Sequence, residues 1–143
     1  MQRDDVAIDL TLLGCLTIEI DDHTRLPGSP SGDWLVGTAT DYRLEGERLS
    51  ARARATPATD WVTVRAGGSG TVDARMLLET DDGALILMRY QGRILYSESG
   101  ATVVTAPTFE TNDDRYAWLN SVQAIAKGER VGTTLVYEIY AAS

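Results

Sequence analysis

The stretch "TVDARMLLETDDGALILMRYQ" at residues 71–91 decides the fold class. Two strand-like runs flank Asp81-Asp82-Gly83, and Asp-Gly between such runs is among the strongest local signals for a β-hairpin. In the first run apolar residues alternate with Asp73 and Arg75, which is the period of two that a half-buried strand requires. The stretch therefore predicts two antiparallel strands joined by a tight turn.

The same signals continue outward in both directions. "LTIEI" at 16–20 places its three apolar residues on one face, and the pair "EG" at 45–46 and the run "AGGSG" at 66–70 are typical turns. No segment sustains the helical period of 3.6 residues over three turns. About eight or nine strands without crossover helices indicate an all-β antiparallel sandwich or a closed barrel.

Two segments are less regular. "HTRLPGSPSGD" at 23–33 predicts a loop, because a central strand rejects its prolines and glycines. "RYAWLNSVQAIA" at 115–126 could form a helix with an apolar stripe through Trp118 and Val122. We interpret it as a strand, because Asn120 lies in the middle of the segment and the flanking strands need a partner.

Composition limits the class of protein. A chain of 143 residues with ordinary hydrophobic content predicts one packed domain, over residues 1–143. The net charge of −8 argues against a nucleic-acid partner, which needs a basic surface. No apolar run approaches the roughly 20 residues that span a bilayer, and the acidic N-terminus is unlike a secretory signal. With the single Cys15, these features predict a soluble cytoplasmic protein without a membrane partner.

Metal and cofactor chemistry finds little support in the sequence. His23 and Cys15 are the only residues of their types, whereas a zinc site usually needs three or four ligands close together. The chain has no Gly-rich phosphate loop, no G-x-S-x-G motif and no recognisable Cys-His pairing. We therefore predict that no metal and no organic cofactor is needed, and that any chemistry uses carboxylates, arginines, tyrosines and an amide.

Asp73 and Arg75 form one candidate acid–base pair. They lie two residues apart, so a strand points both side chains to the same face, where an arginine would keep the carboxylate ionised. Simple alternation also makes this the solvent face, since Val72, Ala74 and Met76 form the apolar one. Both interpretations, an exposed face and a functional pair, remain open.

The segment "PTFETNDDRYAWLN" at 107–120 contains a second candidate site. If the chain is extended after its acidic turn, Tyr116, Trp118 and Asn120 share one face. Apolar walls with a few convergent polar groups describe a small-molecule pocket, and they equally describe a satisfied polar network in a core. Glu110 precedes the turn and could accept a proton if a cavity raises its pKa by desolvation.

Several motifs together resemble one known family. The pieces are "TDW" at 59–61, "LETDDGALI" at 78–86, "PTFET" at 107–111 and "RYAWLN" at 115–120. They are similar to the family known as domain of unknown function 3237, also called uncharacterised protein family 0311, from about Leu13 to Tyr140. The resemblance implies a compact antiparallel β-barrel of the lipocalin-like kind. It marks the following positions: Asp60, Trp61, Asp73, Arg75, Thr80, Asp82, Gly83, Tyr90, Phe109, Glu110, Thr111, Arg115, Tyr116, Trp118, Leu119 and Asn120.

The sequence departs from the family pattern in two places. "ATPAT" precedes Asp60 where the family tends to have glycines, so this turn must be built differently. The segment between Tyr90 and Pro107 is shorter than the family usually has. If the longer insertion covers the pocket in relatives, the pocket here is more open or the substrate differs.

These observations lead to a functional hypothesis. We predict a β-barrel of about eight or more strands that binds a small, largely apolar organic molecule. The hypothesis is a cofactor-free enzyme of isomerase, cyclase or lyase type, with Glu110, Asp73, Arg75 and Tyr90 as catalytic candidates. The ligand-binding candidates are Trp61, Phe109, Tyr116, Trp118 and Asn120. The alternatives are a non-catalytic carrier barrel and a purely structural aromatic face, and the sequence leaves homodimer formation open.

Overall fold

The structure is a computed structural model that describes residues 6–143. Within these residues the chain forms twelve strands in one antiparallel sheet and one short 3₁₀ helix. The strands are β1 (Leu10–Glu19), β2 (Asp22–Ser29), β3 (Gly32–Ala39), β4 (Asp41–Glu45), β5 (Ser50–Ala53), β6 (Ala58–Val64), β7 (Ser69–Thr80), β8 (Leu85–Ser97), β9 (Gly100–Thr105), β10 (Thr108–Glu110), β11 (Gln123–Val131) and β12 (Thr134–Ala142), and the 3₁₀ helix spans Asp114–Ser121. The all-β prediction is confirmed.

The strand pairings form a continuous series. Starting from β8, the order is β9, β11, β12, β1, β4, β5 and β7, and β7 pairs with β8 again. Strands β6, β3 and β2 extend from the first half of β7, and β10 lies beside β8. Because side chains alternate across a strand, each strand of this series turns one set of side chains to a common interior.

The turn between β7 and β8 forms as predicted. Thr80 and Ala84 exchange backbone and side-chain hydrogen bonds across it, and Gly83 takes a φ of 92° that favours glycine. The two strands then pair over eleven positions, from Ser69 with Leu95 to Glu79 with Leu85. The long hairpin places Met76, Met88 and their apolar neighbours in the core.

The loop predicted for residues 23–33 is wrong. These residues form most of the β2–β3 hairpin, which turns at residues 30–31. The prolines are tolerated because β2 is the last strand in the pairing order, so one of its edges needs no backbone donors. The ladder is also irregular between Leu26 and Ser29, next to Pro27.

The strand predicted for residues 115–126 is correct only from residue 123 onward. Before it the chain forms the 3₁₀ helix, which starts where the Asp113 side chain accepts a hydrogen bond from the backbone N–H of Arg115. Such capping favours a helical turn over an extended chain. The helix buries Leu119 completely, and neither it nor any other helix within residues 6–143 is long and apolar enough to cross a membrane.

Candidate active site

Asp60 on β6 faces the interior of the sheet. It pairs with Ala74 on β7, and Ala74 pairs with Tyr90 on β8, so the three residues lie side by side on one face. Ala74 and Tyr90 are buried, as are Ala58 and Val62 at the neighbouring inward positions of β6. The alternation of β6 thus directs a carboxyl group into an apolar interior, with only an alanine between it and a tyrosine.

Few interactions offset the cost of burying the Asp60 carboxyl there. Its Oδ1 atom is buried and has no hydrogen-bond partner among residues 6–143. Burial raises the pKa of Asp60 to about 6; the positive charge of Arg130 lowers it and the negative charge of Asp73 raises it further. A carboxyl group with this pKa exchanges its proton readily near neutral pH, which suits a general acid or base.

Two buried tyrosines lie close to this carboxyl. The ring centroids of Tyr90 and Tyr137 are 5.4 Å apart, with an angle of 55° between the planes. Burial is the main cause that raises the pKa of each phenol well above its usual range, and the charge of Asp60 adds to the shift in both. The two phenols also act on each other, which raises the pKa of Tyr90 and lowers that of Tyr137. The Tyr137 hydroxyl is buried without a hydrogen-bond partner in the described residues.

A glycine makes room for the Tyr137 ring. Gly128 pairs with Tyr137 across β11 and β12, and a Cβ atom at position 128 would lie 2.5 Å from Cδ1 of that ring. The ring therefore packs directly on the backbone of β11. Any larger residue at position 128 would displace it.

Tyr96 and Arg130 extend the cluster toward one end of the sheet. Both pair with Ala101, next to the hairpin turns after β8 and β11, and both are half-buried. The Tyr96 hydroxyl and Thr105 Oγ1 are buried without partners in the described part of the chain. Arg130 donates from Nε to the carbonyl oxygen of Gly132 at 3.0 Å. We refer to Asp60, Tyr90, Tyr96, Thr105, Arg130 and Tyr137 as the interior polar cluster.

The free space beside Asp60 and Tyr90 is small. A cavity of about 10 Å³ lies against Asp60, Ala74 and Tyr90, which is roughly the room that one water molecule needs. A larger ligand therefore requires side chains to move. Asp60, Tyr96 and Arg130 are the half-buried members of the cluster, whereas Tyr90, Thr105 and Tyr137 are buried.

Of the nine residues predicted for the site, Tyr90 belongs to the interior polar cluster. Asp73 and Arg75 lie on the outer face of β7, where they line a groove of about 320 Å³ together with Arg89 and Gln91. Arg75 pairs directly with Arg89, and the Gln91 amide is 3.5 Å from Asp73. Trp61 is on the outer face of β6 opposite Asp73 and is 47% exposed.

The residues predicted around 107–120 are divided between several environments. Phe109 is buried in the core, and Trp118 stacks under the Arg48 guanidinium, whose Cζ lies 3.7 Å from the ring centroid. Glu110 and Asn120 do come together, in an open outer groove of about 470 Å³ that is also lined by leucines. The extended face proposed for Tyr116, Trp118 and Asn120 is wrong, because the 3₁₀ helix rotates them apart.

The polar residues of this segment fasten it to the β7–β8 turn. The Tyr116 hydroxyl donates to Asp82 at 2.9 Å, and Arg115 bonds both Asp82 and Asp113. The Asn120 amide accepts from the Thr111 N–H at 2.8 Å and donates to the Thr111 carbonyl oxygen at 3.0 Å. These contacts hold the 3₁₀ helix in place.

Four members of the interior polar cluster were missed entirely: Tyr96, Thr105, Arg130 and Tyr137. Asp60 had been noted only through the family resemblance. A local signal existed for two of these residues. Asp60 alternates with Ala58 and Val62, and Tyr137 alternates with Leu135 and Ile139, so each occupies a position on an apolar face. The cluster itself comes from five strands, β6, β8, β9, β11 and β12, which together span more than half of the chain.

Comparison with known proteins places the chain in a family. Residues 9–142 match the family model described as "Protein of unknown function (DUF3237)". The chain belongs to the DUF3237 family. The resemblance found in the sequence motifs is therefore confirmed.

Solved structures of other proteins share the fold of this DUF3237 protein. A beta-barrel-like protein from Acinetobacter baumannii is 26% identical, with a TM-score of 0.89 over 99% of this chain and 100% of that chain. An enzyme from Penicillium herquei is 21% identical, with a TM-score of 0.77 over 100% of both chains, which shows the shared fold.

A curated relative is the hydroalkoxylation enzyme phnH of Penicillium herquei. It is 40% identical over 60 residues, which are 41% of this chain and 35% of that enzyme. The match therefore spans about a third of the enzyme's length.

Proposed function

We propose that this protein is an enzyme in which Asp60 transfers a proton to and from a small organic substrate held inside a closed, lipocalin-like β-barrel. The barrel is supported by the strand series that starts at β8 and returns to it through β7. The single observation that carries the catalytic proposal is the Asp60 carboxyl, which has a pKa of about 6 and whose buried Oδ1 atom has no hydrogen-bond partner among residues 6–143. Buried groups with such pKa values cluster at functional sites.

The reaction class that fits best is the addition of a hydroxyl group to a carbon–carbon double bond, or its reverse. The support is the match to a hydroalkoxylation enzyme, together with a site equipped for proton transfer. In the forward direction the Asp60 carboxylate removes the hydroxyl proton as the C–O bond forms and the π bond breaks. The same proton then passes from Asp60 to the carbon that gained the electron pair, so Asp60 is regenerated.

The proposed chemistry uses only side chains of this chain. Tyr90 and Tyr137 stay protonated at neutral pH, because the pKa of each is raised, and they present phenols beside the substrate. No metal or organic cofactor is required for a proton to move from oxygen to carbon. Glu110, Asp73 and Arg75 lie on the outer surface, and the proposed reaction does not pass through them.

A cyclisation assay with matched variants tests the proposal. A panel of small hydroxy-alkenes and hydroxy-enones is incubated with wild type, with Asp60→Asn and with Asp73→Asn, and cyclic ethers are detected by mass spectrometry and NMR. We expect at least one compound to react with wild type and Asp73→Asn, and its rate to fall by at least about 100-fold in Asp60→Asn. Equal rates in wild type and Asp60→Asn, or no reaction with any compound, would argue for a non-catalytic binding barrel.

A further inference from the structure

The unpartnered groups of the interior polar cluster share one property: most of them are hydrogen-bond donors. The hydroxyls of Tyr96, Thr105 and Tyr137 are all buried without partners in the described residues. Arg130 adds guanidinium N–H groups, since its only side-chain bond within residues 6–143 uses Nε. Asp60 Oδ1 is the buried carboxylate atom that has no partner in the described residues.

Burying unpaired hydrogen-bonding groups destabilises the fold unless a bound molecule supplies their partners. Each buried polar group without a partner destabilises the fold, so three such hydroxyls in one interior are unusual for a core that serves only packing. An acceptor oxygen is the ligand group that best satisfies a set rich in hydrogen-bond donors. The hydrogen bonds are strongest when that oxygen acquires negative charge. One water molecule in the small cavity beside Asp60 could not reach all of these groups at once.

We infer that the interior polar cluster binds the oxygen of a carbonyl-conjugated substrate and stabilises the enolate that forms there. This inference rests on the proposed function and narrows its substrate class to hydroxylated enones and aryl enones. Tyr137 is the principal oxyanion donor, because its ring is fixed between Gly128 and Tyr90. Tyr96 and Arg130, next to the hairpin turns at one end of the sheet, bind the outer part of the substrate.

The electron flow of this reaction is balanced without another reactant. The substrate hydroxyl oxygen attacks the β-carbon, the π electrons move onto the carbonyl oxygen, and Asp60 takes the hydroxyl proton. The enolate oxygen then carries the negative charge that Asp60 has lost, facing the Tyr137 hydroxyl. When Asp60 returns the proton to the α-carbon, the carbonyl forms again and the cyclic ether leaves.

The geometry also predicts that Asp60 and Tyr137 have opposite effects on the binding of an oxyanion. Both lie in the same interior, close enough for the Asp60 charge to disfavour a tyrosinate at position 137. A bound oxyanion should feel the same repulsion whenever Asp60 is ionised. Removing the Asp60 charge should therefore strengthen oxyanion binding, whereas removing the Tyr137 hydroxyl should weaken it.

Binding of para-nitrophenol tests the inference without knowledge of the natural substrate. Its phenolate oxygen imitates the enolate oxygen, and its visible absorbance reports the ionised form. Titrations near neutral pH compare wild type with Tyr137→Phe, Asp60→Asn and Tyr140→Phe. The last is a control on the outer side of the same strand, where the Tyr140 hydroxyl donates to Glu138 at 2.7 Å.

We expect saturable binding to wild type, with a dissociation constant that rises about tenfold in Tyr137→Phe, as the loss of one strong hydrogen bond predicts. Asp60→Asn should bind several-fold more tightly, and Tyr140→Phe should match wild type. Thermal melts confirm that Tyr137→Phe is folded. Absence of binding, or equal affinity in wild type and Tyr137→Phe, would overturn the inference. The proposed function fails separately, if Asp60→Asn retains the cyclisation rate.

Discussion

Asp60 and Tyr90 lie on the same inner face of the sheet, in register through Ala74 on the strand between them. The alanine keeps the gap between the carboxyl and the phenol free of bulk. Since the pairing of three strands sets this relationship, the position of Asp60 does not depend on a flexible loop. Rigid strands are a suitable support for an acid–base group, which must hold its geometry closely.

The raised pKa of Asp60 makes stability depend on pH. A folded pKa of about 6 against an ordinary value of 3.8 means that the folded chain binds this proton more tightly than the unfolded chain does. The contribution of Asp60 is therefore favourable at low pH and is lost as the pH rises from about 4 to about 6, by about 3 kcal/mol. Urea denaturation of wild type and Asp60→Asn should show a difference that grows in favour of the variant over this range. A constant difference would contradict the raised pKa.

Removing the Tyr137 hydroxyl should not destabilise the protein. The Tyr137 hydroxyl is buried without a partner in the described structure. Tyr137→Phe should therefore leave the free energy of unfolding unchanged or raise it by about 1–3 kcal/mol. Tyr42 is the control, because it is an equally buried residue whose hydroxyl lies 2.8 Å from the Thr56 carbonyl oxygen and 2.9 Å from that of Leu77. Tyr42→Phe should therefore cost about 1 kcal/mol or more. If chemical denaturation showed that both substitutions lower the free energy of unfolding, the Tyr137 hydroxyl would not be unpartnered.

Gly128→Ala should displace the Tyr137 ring. The added Cβ atom would lie 2.5 Å from Cδ1 of that ring, so we expect a loss of about 1–3 kcal/mol in unfolding free energy and weaker phenol binding. Gly37→Ala provides the control, since a Cβ atom there meets its nearest neighbour at an ordinary 3.5 Å. If Gly128→Ala were as stable as Gly37→Ala, Tyr137 would not be held as described.

Asn120 should prove to be structural. Its amide bonds both backbone groups of Thr111, and Asn120→Ala should lower the unfolding free energy by about 1–2 kcal/mol. Asn112→Ala, at an exposed position in the same segment, should have little effect. Cyclisation by folded Asn120→Ala should match wild type. A large loss of rate without loss of stability would return the outer groove with Glu110 to consideration as the site.

Much of the fold followed from local patterns. The Asp-Gly turn and the alternation in residues 71–91 predicted the β7–β8 hairpin, because both depend on neighbouring residues alone. The β2–β3 hairpin was missed, since a proline excludes a central strand but not an edge, and the order of strands is not local information. The 3₁₀ helix was missed because its stability comes from Asp113 and from bonds to the β7–β8 turn.

The site was harder to predict than the fold. The segment 107–120 attracted attention because it concentrates aromatic and polar residues, yet these groups satisfy one another. The interior polar cluster is inconspicuous in the sequence because its members are single polar residues scattered over several strands. Alternation could have placed Asp60 and Tyr137 inward, but only the pairing of β6 through β12 brings them together.

The most direct test of the proposed role of Asp60 is an NMR titration of its carboxyl carbon. Protein labelled at aspartate is titrated from acid to neutral pH, and the Asp60 resonance is assigned by its loss in Asp60→Asn. We expect a midpoint near pH 6 and a change of that resonance when para-nitrophenol is added. A midpoint near the ordinary value of 3.8, with no response to the phenol, would contradict the proposed role.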